Sequence, residues 1–584
     1  MTPPPPAAAV RGAVAAMAAA AAAVTYAWWA LALRGAPKVI DATMYWLQAR
    51  ALAAGSFTWR LPDATASFAG RFLLVGDDGR AAGVFPPGHP LALAAGFALG
   101  APWLTGCALA AGLVAATSWL AAELAPARAD RARLVGAALS LACVALRYHT
   151  AETLSHGSAA LALTLALWGA LVTARTSSRT HALASGLALG WLASTRPVSA
   201  LAVGAACAAL TWRGRRPLAW ALATLPGLAL YVAAQRLSTG RWGVSTHAAY
   251  YAVADGPAGC FRYGFGAGVG CLVEHGDFVA RHLPHGHGLR EALASTGRRL
   301  AAHVTDVANA WPLIALPLWA AWRLRAEASA RWCTGVVWAH FAAYAPFYFD
   351  GNLVGGGARM FVDVIPVEHA LAAAALSAFS TRQAAGAVAL VAALGAWRGA
   401  AVARGVRALD DHGVTGFLRA PPERGLVFVG DERAFNALYD PRGDGDAWGH
   451  AVVARWKGDA HDAVLYERLG RPPAWRLRDD GRLDRWAPEA GALRWFRGAG
   501  LWPPRAQAGG YARPRGSAIA VVATGGEARV RFIVPVPRPG PWCLRRLFDD
   551  GARVEHCDFA QRAMDVVVTT RGRRALEGVW LFAP

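Results

Sequence analysis

Apolar runs of about 17–25 residues, long enough for a helix to cross a bilayer, recur along this chain of 584 residues. In hydrocarbon every backbone N–H and C=O must find its partner inside the protein, so such runs have to be helical. A mainly α, polytopic membrane bundle is therefore expected. Composition agrees: 55% of residues are hydrophobic and 17% charged, where soluble domains carry about 25% charged. Hydropathy places spans at about 12–34, 104–124, 133–148, 156–174, 182–194, 197–212, 217–235, 305–323, 331–348, 362–379 and 384–400, about 11 transmembrane helices in all. The first run is long enough to span and reads as an uncleaved helix, not a secretory signal. "LALAAGFALGAPW" is too short to cross and is expected to be re-entrant or juxtamembrane.

Charge orients the bundle. "APARADRAR", "ARTSSRTH", "WRGRRP", "RLRAEASAR" and "STRQ" follow every second span, and Lys/Arg-rich turns stay in the cytoplasm. The N-terminus is then inside and the C-terminus outside. The net charge of +21 would suggest nucleic acid in a soluble protein. Here the arginines orient spans and meet anionic membrane lipid, no nucleic-acid motif is present, and no nucleic-acid partner is expected. Cys107, Cys143, Cys207 and Cys333 fall inside apolar spans. Cys260 with Cys271, and Cys543 with Cys557, are local pairs outside the membrane, the pattern of disulfides in an oxidising compartment. Three domains are expected: a transmembrane catalytic module over 1–404, an α/β subdomain over 405–484 opened by "RGLVFVGDERAFNALY", and a β-rich, sandwich-like subdomain over 485–584 containing "ARVRFIVPV" and "MDVVVTT".

Polar residues gather at the outer ends of these spans. Asp41 follows span one, and Arg50, Arg60, Asp63, Arg71 and His89 of "FPPGHP" share its loop. Glu152 lies in "RYHTAETLSHGS" between His149 and His156, Arg196 in "STRP", Arg241 and Tyr250 in "STGRWGVSTHAAYY", and Arg359 in "GGGAR". A carboxylate can take a proton from an acceptor hydroxyl or amine, and arginines can neutralise a departing phosphate. That set suits sugar transfer from a lipid phosphate at the membrane surface.

Over about 12–400 the chain resembles the polytopic GT-C glycosyltransferases, which include protein O-mannosyltransferases, lipid A aminoarabinose transferase and rhizobial lipopolysaccharide sugar transferases. The resemblance rests on the order of "DATMYWLQARALAAG", "FPPGHPLALAAG", "ETLSHGSAALALTLAL", "GLALGWLASTRPVSAL", "LSTGRWGVSTHAAYY" and "GGGARMFVDVIP". It implies inverting transfer from a polyprenyl-phosphate sugar on the periplasmic face of a bacterial inner membrane, to an envelope glycan, lipid or protein acceptor. By that resemblance Asp41 matches the first-loop acid, Glu152 the acid of the second outer loop, and Arg359 a phosphate ligand. Where many relatives carry two adjacent acids in the first loop, Asp41 is followed by Ala42.

Plainer roles stand beside these. Asp41 suits a helix cap, Arg196 snorkels to head groups, His89 and His156 suit interfacial packing, and Tyr250 suits an aromatic belt. No cofactor is certain. A divalent metal is possible at Glu and His, but the spacing matches no standard ligand motif, and "GDAHDA" around His461 reads as an exposed turn. A transporter or flippase of lipid-linked sugars is the alternative, though such folds show repeats and interrupted helices that are not legible here. A non-catalytic assembly protein would tolerate loss of Asp41.

Overall fold

The computed structural model describes residues 7–584 except 62–65, 69, 77–78, 258, 354, 409–413, 415–416, 418–419, 442–450, 489–494, 498–504, 509, 516–517, 524–525 and 562. The chain divides into two compact units, each discontinuous in sequence. The first takes Met1–Lys38, Pro86–Ala234 and Ala292–Leu409; the second takes Val39–Phe85, Gln235–Glu291 and Asp410–Pro584.

The first unit is helical. Its core joins Leu120, Leu163, Leu167, Leu192, Val203, Leu210, Phe361 and Leu371. Among the described residues five helices are long and apolar enough to cross a membrane: Ala8–Ala32, Trp103–Leu124, His156–Thr176, Pro217–Thr239 and Thr381–Ala408. Pro217–Thr239 turns Leu218, Leu222, Leu225 and Leu228 outward, as a lipid-facing helix must. Other segments expected as spans are shorter helices, Arg179–Thr195, Pro197–Arg213, Ala328–Ala343 and Ile365–Leu376. "LALAAGFALGAPW" supplies most of the eleven-residue helix Gly88–Ala98, after which Trp103 opens the next span.

One expected feature is corrected. The segment 133–148 is not one straight span. Ala129–Ala142 stops at Cys143, and Val144–Ala151 resumes at a 62° bend. Breaking a helix frees backbone groups that hydrocarbon cannot satisfy, and a side chain takes them up. Asn309 Oδ1 accepts from Val144 N–H at 3.0 Å, while its Nδ2 donates to Ala142 O at 2.9 Å and Val391 O at 3.0 Å. Asn309 itself sits at φ +66°, a region asparagine tolerates better than other non-glycine residues. Sequence could not show this break, because the splice lies 165 residues away.

The second unit mixes helix and sheet. Ile40–Ala53 buries Ala42, Met44, Tyr45, Trp46 and Leu47. Strands Gly425–Val429, Ala451–Arg455 and Ala474–Leu477 run parallel, with Leu483–Arg485 antiparallel at the edge. Asp431 caps the helix Glu432–Leu438 by accepting from Arg433 and Ala434 N–H at 2.9 and 3.0 Å. Two antiparallel sheets formed by strands between Trp495 and Phe582 enclose Phe532, Leu544, Val566 and Val579. Cys260–Cys271 and Cys543–Cys557 are disulfides. Beside the first, Asp255 accepts backbone N–H bonds from Gly256, Val273 and Glu274 at 2.7, 2.8 and 2.9 Å.

Candidate active site

In the first unit, the 62° bend delivers Tyr148, His149 and Glu152 to the end of the helix Val144–Ala151. Glu152 is buried; its Oε1 accepts from Lys38 N–H at 3.4 Å. Burial pushes its carboxyl up to about 7, against the pull of the Lys38 and Thr153 N–H groups and the Lys38 charge. Glu152 thus stands where it can exchange a proton near neutrality. It lines a narrow cleft with His89, whose walls are Trp29, Leu93, Trp103 and Leu109. His89 Nε2 donates to Thr153 O at 3.1 Å.

The cationic part comes from two other junctions. Arg196 lies between Arg179–Thr195 and Pro197–Arg213, and pairs with Asp363 Oδ2 at 3.1 Å. It donates to Tyr344 OH at 2.7 Å, and its Nη1 stands 3.5 Å from His156 Nε2. Ser199 Oγ donates to Asp363 Oδ2 at 2.6 Å. His156 also stands 3.7 Å from Asp363, and its ring meets that of His149 edge-on at 4.9 Å. Arg359, buried, opens the 3-10 turn Arg359–Val364. Its charge acts on Tyr148, His149 and His156.

The loop before Arg359 is held closely. His149 Nε2 donates to Gly356 O at 2.7 Å. A Cβ on Gly356 would stand 3.0 Å from the Tyr148 ring, and Gly357, at φ +54°, leaves a Cβ no room beside the Asp306 carboxylate. Asp306 Oδ2 accepts from Ala358 N–H at 2.7 Å, and Asp306 Oδ1 pairs with Arg398. The glycines therefore let the backbone pack onto Tyr148 and Asp306.

The second unit holds Asp41. Its helix is preceded by Val39 at the cap position, with no side-chain cap, so the cap role suggested for Asp41 is corrected. The carboxylate sits in the first turn, where the helix dipole favours it. It lies in the electrostatic neighbourhood of Arg71, His247 and Glu274. Glu274 accepts from Tyr250 OH at 3.2 Å and Tyr251 OH at 2.7 Å, with Arg71 Nε at 3.7 Å. Burial pushes the Glu274 carboxyl up to about 7, with Arg71 opposing. Burial also moves Tyr250 well above its ordinary range, and Glu274 adds to the rise.

The structure thus brings His156, Arg196 and Arg359 together, sets Glu152 in one cleft with His89 and, with Arg359, on Tyr148, and sets Tyr250 beside the neighbours of Asp41. Arg241 is on an exposed turn. Asp63 lies outside the described residues, as does the side chain of His461. Sequence reasoning missed Asp363, Tyr344, Ser199 and Glu274. Asp363 carried a signal: it is an acid four residues after Arg359 inside the apolar run "MFVDVIP".

For a divalent cation, the described residues bring three ligand atoms together at Asp255, Cys260 and Cys271, and at Cys543, Glu555 and Cys557. In both groups the cysteines are joined in a disulfide, which removes the thiolates a metal would bind. Neither group includes Asp41 or Glu152, and among the described residues no three such ligand atoms come together at either carboxylate.

No family model matches the chain, and no curated protein matches it. Several solved structures are similar in fold. ArnT from Cupriavidus metallidurans in the apo state has 16% identity, covering 80% of this chain and 93% of that one, with TM-score 0.48; the same protein bound to undecaprenyl phosphate scores 0.47 at 14% identity over 78% and 91%. The archaeal oligosaccharyltransferase AglB from Archaeoglobus fulgidus has 10% identity over 96% and 93%, with TM-score 0.38. Arabinosyltransferase EmbB from Mycobacterium smegmatis has 12% identity over 98% and 64%, with TM-score 0.38. At these scores the chemistry of the chain's own residues has to carry any functional reading.

Proposed function

We propose that this chain is an integral-membrane glycosyltransferase that moves a sugar from a polyprenyl-phosphate donor to an extracytoplasmic acceptor in a bacterial inner membrane. The supporting observation is the convergence of His156, Arg196 and Arg359, from three separate helix junctions, on one cluster, with Glu152 sharing a cleft with His89 and acting with Arg359 on Tyr148. A buried carboxyl near neutrality and a pair of arginines on His156 match the needs of the reaction. The acceptor oxygen attacks the anomeric carbon, the bond from that carbon to the phosphate oxygen breaks, and the acceptor proton passes to a carboxylate. Asp41 is the proposed base or acceptor-orienting group, with Glu152 as the second acid. Arg359 and Arg196 carry the charge of the departing polyprenyl phosphate. His89, His156, Arg241 and Tyr250 contact donor or acceptor. The shorter helices complete about eleven crossings, and 405–584 lies on the extracytoplasmic side and shapes the acceptor site.

A transporter of lipid-linked sugars is the second reading, favoured by the broken helix at Cys143, since such breaks line transport sites. Membranes carrying wild type or Asp41→Asn, matched by gel filtration in detergent, are supplied with radiolabelled polyprenyl-phosphate sugars. Transfer by wild type and none by the folded variant supports the enzyme. Full transfer by the variant removes Asp41 from the chemistry. Movement of labelled lipid between leaflets without transfer supports the transporter.

A further inference from the structure

At the opposite kind of helix junction, the arginine-rich one, the first unit holds a cavity of about 360 Å³. It is lined by Trp119, Glu123, Arg133, Trp168, Arg175 and His181, with the Thr176 and Ser178 hydroxyls. Two of the basic turns, "APARADRAR" and "ARTSSRTH", carry Arg133 and Arg175, so the positive-inside rule sets this cavity at the cytoplasmic membrane boundary.

Its lining changes character in step along two spanning helices. On Trp103–Leu124 the walls pass from Trp119 to Glu123; on His156–Thr176 they pass from Trp168 through Val172 to Arg175. The two helices stay in contact at both levels. The Trp119 and Trp168 rings lie 5.2 Å apart, and Arg175 forks onto Glu123 with bonds of 2.7 and 2.9 Å. Trp119 is 43% exposed. Above this level the polar groups multiply: Arg133 pairs with Asp130 at 3.1 Å, Ser178 Oγ lies 2.8 Å from His181 Nδ1, and Arg216 donates to Ser177 O at 2.9 Å. One end of the cavity is thus aromatic and open sideways, and the other is cationic and rich in hydroxyls.

We propose that this cavity binds the head group of an anionic phospholipid from the cytoplasmic leaflet. The phosphate meets Arg133 and the N–H donors of Arg175 that its two bonds to Glu123 leave over, and the acyl chains leave past Trp119 and Val172. A soluble anion has no use for the tryptophan end, and a zwitterionic lipid brings an ammonium against the arginines. The site is separate from the cluster around Glu152, and its occupancy does not depend on the proposed reaction.

The test uses full-length protein, delipidated in neutral detergent. Short-chain phosphatidylglycerol, phosphatidylcholine of equal chain length and glycerol 3-phosphate are compared by thermal unfolding and by lipid counting in native mass spectrometry. Phosphatidylglycerol is expected to be retained and to raise the melting temperature beyond phosphatidylcholine. The variant Arg133→Gln/Glu123→Gln/Arg175→Gln, which removes the ion pair as a unit, should weaken that binding on the order of tenfold. Trp119→Ala leaves every charge in place and should weaken it as well; it serves if the triple variant does not fold. Equal effects of both lipids, an equal effect of glycerol 3-phosphate, or unchanged phosphatidylglycerol binding in the folded variants would overturn the proposal.

Discussion

Replacing Asn309 by leucine should loosen the joint at Cys143 by a definite amount. Asn309 makes three hydrogen bonds, one accepted from Val144 N–H and two donated to Ala142 O and Val391 O. Leucine has the same number of side-chain heavy atoms and makes none, and it tolerates the φ of +66° less well than asparagine does. Hydrogen bonds between membrane helices average about 0.6 kcal/mol each, which gives roughly 2 kcal/mol for three. The orphaned Val144 N–H adds about 1–3 kcal/mol, because a buried donor left unmade bears its full desolvation cost. From the hydrogen bonds alone a loss of about 3–5 kcal/mol is expected, measured by unfolding in mixed micelles of neutral detergent and dodecyl sulfate. A second variant probes the same joint from the far side. A Cβ on Gly395 would stand 2.6 Å from Ala142 O and 2.7 Å from Asn309 Nδ2, so Gly395→Ala wedges that bond apart. Once Asn309 is gone the wedge has less to break, and the double variant should lose less than the sum of the two singles. An Asn309→Leu protein as stable as wild type would refute the splice, and strict additivity would refute the shared joint.

Other outcomes follow from the same geometry. Glu152 and Glu274 are each raised from an ordinary 4.5 to about 7, so the folded state binds their protons more tightly than the unfolded chain. Each contributes stability that is full below about 4.5 and lost as pH rises through about 7; Glu152→Gln and Glu274→Gln should each flatten part of that decline in a pH series of melts. If Glu152 takes a proton during transfer, activity rises through about pH 7, and Glu152→Gln removes that limb. Arg359→Ala should weaken donor binding about 10–100-fold in a KM series, with Arg359→Lys recovering only part because a point charge replaces a planar fork. Asp306→Ala leaves Arg398 partly buried without its partner and frees Ala358 N–H; a stability loss of about 3–5 kcal/mol and a raised donor KM are expected, read by unfolding and kinetics.

What the sequence makes legible is the chemistry that polar residues announce in apolar surroundings. Glu152, His156, Arg196 and Arg359 each stand at the edge of an apolar run, where an ionisable group is costly enough to need a reason. Their partners are hidden for physical causes. Asp363 reads as one polar break in a hydrophobic run, and only folding carries it to Arg196, 167 positions away in the chain numbering. Asn309 has no periodicity to reveal that it closes a gap in another helix. Glu274 sits in a loop whose course is fixed by Asp255 and a disulfide, interactions that hydropathy does not record. The breaks and shorter helices escape notice because hydropathy weighs composition along the chain and is blind to where a hydrogen-bond ladder is interrupted.

The unit that holds Asp41 has a consequence for how the protein is made. Arg50, one turn from the end of that helix, donates to Leu438 O and Tyr439 O at 3.2 and 2.9 Å, and Asn436 Nδ2 donates to Arg71 O at 3.3 Å. These acceptors and donors leave the ribosome about 380 residues after Ile40–Ala53, roughly 20–75 s later at ordinary rates of synthesis. For that interval Arg50 lacks its Leu438 and Tyr439 acceptors, while most of the spanning helices are still being inserted. A chain cut short before Leu438 keeps Asp41, yet leaves Arg50 on the same helix without the carbonyls it meets at Leu438 and Tyr439. The fixing of the helix that carries Asp41 therefore waits on backbone carbonyls synthesised in the last third of the chain.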